Sequence, residues 1–184
     1  MSEFDVGAAV NGVAELYEPV AEEAGVALRV RIEPGLRIVG NRELISQTIA
    51  NLVDNALKYG SRDDKRALPA PGAVAAPPPR DEVSLDVRRA GAEVEIAVAD
   101  RGPGIAPADR ARVLDRFVRL EGARSRPGSG LGLALASAVA RMHGGSLRLE
   151  DNRPGLRVVV ALPLATPALP APASAAATLT PALS

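Results

Sequence analysis

The 184-residue chain contains no cysteine, no tryptophan, two phenylalanines, two tyrosines and one histidine, His143. Without thiols there is no disulfide, no thiol catalysis and no zinc-thiolate site. A lone histidine argues against a histidine-based metal cluster. Aromatics make up only 2% of residues against 47% hydrophobic, so a core has to be built from Val, Leu, Ile and Ala. Formal net charge is zero, which argues against a general nucleic-acid or anionic-membrane surface. No apolar run approaches the roughly 20 residues of a membrane span, and the N-terminus has no signal-like apolar stretch. These absences lead to the expectation of a soluble, cytoplasmic fragment without membrane contact of its own. Lysine is scarce as well: of 22 basic residues only Lys58 and Lys65 are not arginine.

What is present is organised around Asn41–Tyr59, NRELISQTIANLVDNALKY. Ile45, Ile49, Leu52, Val53 and Ala56 form an apolar stripe at helical spacing. Gln47, Asn51, Asp54, Asn55 and Lys58 form a second stripe about 200° around the helix from the first. A solvated face is the ordinary explanation for such a stripe. Asn is nevertheless a poor mid-helix residue, because its side chain competes for backbone hydrogen bonds. Two Asn four residues apart, followed by Lys58, suit a hard cation and phosphates.

Upstream, residues 5–24 read as a helix with Pro19 as a possible kink and Gly25 as its end. VALRVRI alternates and reads as a strand with Val26, Leu28, Val30 and Ile32 covered. LRIVG is a second short strand, and Asn41 and Gly60 bound the central helix. Residues 61–80 are rich in Pro and Ala without periodicity and read as a flexible insertion. VSLDV and EVEIAVAD are paired strands with Val83, Leu85, Val87, Val94, Ile96 and Val98 inward. Asp100 keeps that inward parity, so a carboxylate stands at the end of a strand on its covered side and needs a partner. Gly102 and Gly104 follow it, where a backbone could approach something flat; an ordinary Asp-started turn is the plain alternative.

Residues 107–120 read as a helix with Val113, Leu114 and Phe117 apolar and Arg112, Arg116 and Arg119 basic. Gly128, Ser129, Gly130, Leu131 and Gly132 then open another helix. Alternate glycines at a helix N-terminus expose N–H groups to an anion, although a hinge explains them equally well. The spacing fits neither the dinucleotide fingerprint nor the P-loop. Two strands, SLRLED and GLRVVVALP, complete the pattern, and residues 164–184 read as a disordered Ala/Pro-rich tail.

In this order the segments resemble the ATP-binding domain of sensor histidine kinases, within the superfamily that includes gyrase, the Hsp90-type chaperones, MutL and the anti-sigma serine kinases. NLVDNALKYG resembles the family's asparagine box, DRGPGI its first glycine box, VLDRFVR its phenylalanine box and GSGLGLALA its second glycine box. The resemblance covers about residues 3–163, and a domain over 1–163 is expected. Leu114 departs from the usual first Phe of its box, and the insertion at 61–80 is longer than usual. The fold implied is an α/β two-layer sandwich, a mixed and largely antiparallel sheet with helices on one face.

The resemblance also implies roles. Asp100 would accept from adenine's exocyclic amino group, with Gly102, Gly104 and Ile105 beside the base. Asn55 would hold Mg2+, Asn51 and Lys58 would hold phosphates, and Tyr59 would flank the nucleotide. Gly128, Ser129, Gly130, Leu131, Gly132 and Leu133 would give a phosphate-binding lid. Arg119 would steady the transferring phosphoryl group, Asn51 and Lys58 sharing in the catalytic set. ATP and Mg2+ are the implied ligands. The implied partners are a histidine-bearing dimerisation/phosphotransfer domain and, through it, a response regulator. His143 is expected to be a structural residue at a helix end. With no other histidine available, the chain is expected to be a catalytic fragment or to act on a separate substrate. Two other readings compete: a stand-alone anti-sigma-type serine kinase, and a nucleotide-binding interaction module without catalysis. The serine kinases resemble one another in carrying Glu four residues before the magnesium Asn. This chain has Asn51 there, and an amide is no general base.

Overall fold

The computed structural model describes residues 1–60, 81–114 and 132–165. The insertion, residues 166–184 of the tail, Arg119 and the run Gly128–Leu131 lie outside them, while Leu164 and Ala165, expected in the tail, donate to the Ala92 and Arg37 carbonyls. Seven strands and three α-helices are described: β1 (Ser2–Asp5), α1 (Val6–Glu23), β2 (Ala27–Ile32), β3 (Arg37–Gly40), α2 (Arg42–Tyr59), β4 (Glu82–Ala90), β5 (Glu93–Ala99), α3 (Gly132–Met142), β6 (Ser146–Asp151) and β7 (Leu156–Pro163). The main sheet has the order β2-β4-β5-β7-β6. β2 runs parallel to β4, and the other neighbours are antiparallel. The expected mixed α/β sandwich is therefore the fold.

Alternation decides which sheet face meets the helices. Val83, Leu85, Val87, Val94, Ile96, Val98, Val158, Val160 and Leu162 share one core with Ile45, Ile49, Leu52 and Val53 of α2 and with Ala136, Val139 and Ala140 of α3. Burying each such Val, Leu or Ile side chain is worth about 1.5–3 kcal/mol, which is what fixes the register of every strand. The opposite parity places Ala97, Ala99, Val159 and Ala161 on the other face, also buried but outside that core. Long side chains cover them. Glu95 is held by Arg88 at 2.6 Å and by Arg148 at 2.5 Å. Arg148 also reaches Glu150, and Arg157 bridges Glu150 and Asp86. The stems of these residues lie over the small apolar strip while their charges stay partly in water.

Helix ends follow local chemistry. Asp5 Oδ1 accepts from Ala8 N–H at 2.8 Å and Asn41 Oδ1 from Leu44 N–H at 3.1 Å, each capping its helix. Gly25, at φ +71°, closes α1 with Val26 N–H donating to the Ala21 carbonyl. α1 continues to Glu23 past Pro19.

One element goes beyond the expectations, and three expectations need correction. The N-terminal residues form β1, which pairs with β3 in a separate two-stranded sheet. β2 is an edge strand, and Val30 is exposed rather than covered. Leu16 and Val20, which helical spacing puts on the apolar side of α1 and which are therefore expected to be covered, are exposed too. Residues 107–114 form two 3-10 turns, Pro107–Asp109 and Arg112–Leu114, in place of the start of one α-helix. Val113 alone in these turns is buried, and the remainder of the expected helix, 115–120 with Phe117, lies outside the described residues.

Candidate active site

α2 carries its polar stripe away from the core. Asn51, Asp54 and Asn55 are half-buried, and Lys58 is exposed. Gln47 Nε2 donates to Asn51 Oδ1 at 3.3 Å, and Lys58 Nζ donates to Asp54 Oδ2 at 2.6 Å. The bond to Asp54 holds the Lys58 ammonium above its ordinary pKa, so it is cationic throughout the physiological range. α3 begins against this stripe: a Cβ at Gly132 would lie 2.7 Å from Asn55 Nδ2, so a side chain there would have to turn that carboxamide aside. Leu133, next along, is half-buried against the core.

The C-terminal end of α2 meets the loop after β5. A Cβ at Gly60 would lie 2.5 Å from Asp100 Cβ, and one at Gly102 would lie 2.5 Å from the Tyr59 carbonyl oxygen. Gly60 itself is right-handed, at φ −83°, so its glycine serves close approach and not a left-handed cap. Gly104, at φ +70°, lies against Gly155. Ile105 is half-buried, and its carbonyl accepts from Arg110 Nε at 3.1 Å.

Asp100 is 8% exposed. Its Oδ1 accepts from Gly102 N–H at 2.8 Å and from Leu156 N–H at 3.2 Å. Its main chain is held as well. Asp100 N–H donates to the Leu156 carbonyl at 2.9 Å, and Asn152 Nδ2 donates to the Asp100 carbonyl at 2.6 Å. Among the described residues no donor reaches Oδ2, yet no fully buried side-chain oxygen lacks a partner. Oδ2 therefore opens to solvent from an otherwise enclosed carboxylate. Burial raises the Asp100 pKa above the usual carboxylate value, and the Gly102 and Leu156 N–H groups oppose that rise.

The structure thus brings Asp100, Gly102, Gly104, Tyr59 and Gly60 to one end of α2. It brings Asn55 and Gly132 together beside them. Arg119, Gly128, Ser129, Gly130 and Leu131 lie outside the described residues. Sequence reasoning missed the supports of the carboxylate: Asn152, Gly155 and Leu156 come from the β6–β7 hairpin, more than 50 residues away. The Pro-Gly turn marks that hairpin, but no local pattern announces its docking on Asp100. His143 is 9% exposed at the end of α3, bonded to Val139 and Asn41, and is the structural histidine expected. Among the described residues no group of three or more acidic or histidine side chains could hold a metal ion by itself, and no helix is long and apolar enough to cross a membrane. Such an arrangement can take a flat polar ring against the Asp100–Gly102 backbone and anionic groups near Lys58, with the neutral Asn55 oxygen for a cation that the anion brings.

The chain is similar to known proteins along most of its length. It is 39% identical to the sensor-like histidine kinase SenX3 of Mycobacterium tuberculosis over 157 residues, 84% of this chain and 34% of that protein. The chain therefore spans about a third of the length of this curated relative. Its structure matches that of the mycobacterial sensor histidine kinase MprB with a TM-score of 0.71 at 27% identity, covering 89% of this chain and 98% of that one. It matches full-length ShkA in complex with AMPPNP with a TM-score of 0.70 at 27% identity, covering 90% of this chain and 31% of that one. The model of the histidine kinase-, DNA gyrase B- and HSP90-like ATPases matches residues 40–166, from the β3–α2 junction past β7, and to that family the chain belongs.

Proposed function

We propose that the chain is the ATP-binding catalytic domain of a sensor histidine kinase and transfers the γ-phosphoryl group of ATP to a histidine on a separate helical hairpin. The observation that carries the proposal is Asp100: a buried carboxylate with one oxygen doubly bonded to backbone N–H groups and the other open. The open oxygen suits the exocyclic amino group of adenine. Guanine presents a carbonyl at that position, which a carboxylate repels.

The other residues divide the remaining work. Tyr59, Gly102, Gly104 and Ile105 line the base. Asn55 offers a neutral oxygen to magnesium, whose charge would offset that of the phosphates. Lys58 acts on the phosphates as a point charge, after exchanging Asp54 for them. Asn51 shares the phosphate face, and Gly128, Ser129, Gly130, Leu131, Gly132 and Leu133 offer backbone donors. Arg119 steadies the transferring group. Asn51 cannot deprotonate a hydroxyl or water, and a neutral imidazole needs no such help near pH 7. That residue is what favours a histidine acceptor over the serine of an anti-sigma-type kinase, and a response regulator would be the next acceptor.

The test uses radiolabelled ATP with the purified chain, alone and with a histidine-bearing hairpin from a sensor kinase. Acid-labile, alkali-stable label on the hairpin and little turnover by the chain alone are expected. Equal ATP and GTP affinity by calorimetry would end the adenine assignment, and acid-stable label on an anti-sigma-antagonist-like protein would favour the serine kinase.

A further inference from the structure

α2 and α3 lie antiparallel, and they touch through specific groups at both ends. At one end Gly132 rests on Asn55. At the other, the Asn41 N–H donates to His143 Nε2 at 3.0 Å. Because Nε2 accepts, the hydrogen of the neutral ring sits on Nδ1, which donates to the Val139 carbonyl at 2.8 Å. The ring is therefore bonded on both sides, once to its own helix and once to the N-cap residue of α2. Asn41 uses its side chain to cap α2 at the same time. The fit is close: a Cβ at Gly40 would lie 2.7 Å from His143 Cδ2.

We propose that His143 is a positioning residue for the nucleotide site: by joining the C-terminal end of α3 to Asn41, it sets the register of α3 on α2 and so holds Gly132 against Asn55 at the far end. The proposal rests on the ATP reading above. An 11-residue helix is about 16 Å long, so the ring lies far from any phosphate and touches no reacting group. Its effect comes through register. A slip of one residue turns a helix by about 100° and shifts it by about 1.5 Å. That would bring a side chain against the Asn55 carboxamide and turn it from its present position. The base end, built on Gly60, Asp100, Gly102 and the β6–β7 hairpin, does not involve this contact.

That separation provides the test. Affinity for AMPPNP with magnesium and affinity for adenosine are measured in the parent chain, in His143→Ala and in His143→Gln. The expected result for His143→Ala is a loss of about threefold to tenfold for AMPPNP with magnesium, the size of one hydrogen bond, with adenosine unchanged. Free imidazole added to His143→Ala should restore the lost affinity. If His143→Ala does not fold, His143→Gln, whose amide can both donate and accept, should show the same split with a smaller loss. Equal weakening of both ligands, or no weakening of either, overturns the positioning role. Failure of the parent to bind either ligand overturns the ATP reading itself, and it is told apart because it appears without any substitution.

Discussion

If Asp100 reads adenine as proposed, folding and binding make opposite demands on this one residue. Its pKa is raised by burial, so the folded chain holds the carboxyl proton more tightly than the unfolded chain does. The charged form therefore costs stability: the cost is absent below the unfolded pKa and grows as pH rises through the folded value. On the proposed function, adenine recognition needs that same charged form. ATP affinity should accordingly fall on acidification at a pH above the ordinary carboxylate range, read by calorimetry across pH. Asp100→Asn keeps an oxygen for Gly102 and Leu156 but can turn an N–H toward the base. It should lose about 1–3 kcal/mol of ATP affinity. Its thermal midpoint at neutral pH should be no lower than the parent's. Unchanged ATP affinity in this variant would show that the carboxylate does not read the base.

At the scale of the element, the end of α2 and the turn after β5 meet closely, and Gly102 faces backbone there. Gly102→Ala would set a methyl against the Tyr59 carbonyl at 2.5 Å and Gly60 Cα at 2.8 Å, and backbone cannot move aside as a side chain can. A destabilisation of about 1–3 kcal/mol is expected, read by chemical denaturation together with weaker ATP binding. A neutral outcome would mean that the two segments can separate freely. The contents of these elements were legible in the sequence because their signals are local. The two stripes of α2 follow from 3.6-residue spacing, and the burial of Asp100 follows from strand parity. β1 was not legible, since Ser2–Asp5 becomes a strand only through pairing with Arg37–Gly40. The exposure of Val30 was hidden for a related reason: alternation shows that a strand has two faces but not that it lies at the edge of its sheet. The docking of Asn152 and Leu156 on Asp100 depends on the sheet order, which no window of sequence contains.

Across the whole molecule, the two sheet faces are stabilised by different physics. One packs on helices; the other is covered by arginines and carboxylates around Glu95. Glu95 has its pKa lowered, first by the hydrogen bond from Arg148 and then by Arg88, against the opposing effect of burial. Its ion pairs therefore stabilise the fold above the unfolded pKa, and that stabilisation is lost as pH falls through the lowered folded value. Glu95→Gln should cost about 1–3 kcal/mol at neutral pH. The cost should belong at the lower end, because both guanidinium groups remain substantially exposed. Denaturation of parent and variant should converge toward acid pH, and a constant gap across pH would contradict the assignment.

The place of β2 at the sheet margin has a consequence in crowded solution. A margin strand offers unpaired main-chain groups that another molecule's strand can extend. Val30 is exposed there, and it is flanked by Arg29, which pairs with Glu82, and Arg31, which pairs with Asp86. Charged, hydrated side chains on both sides of Val30 are expected to disfavour such an addition, because joining the edges would strip water from them. Replacing both with valine would leave Ala-Leu-Val-Val-Val-Ile as an uncharged run on a strand that is at the margin among the described residues. Light scattering of that variant should rise with protein concentration and time, while the parent stays dispersed.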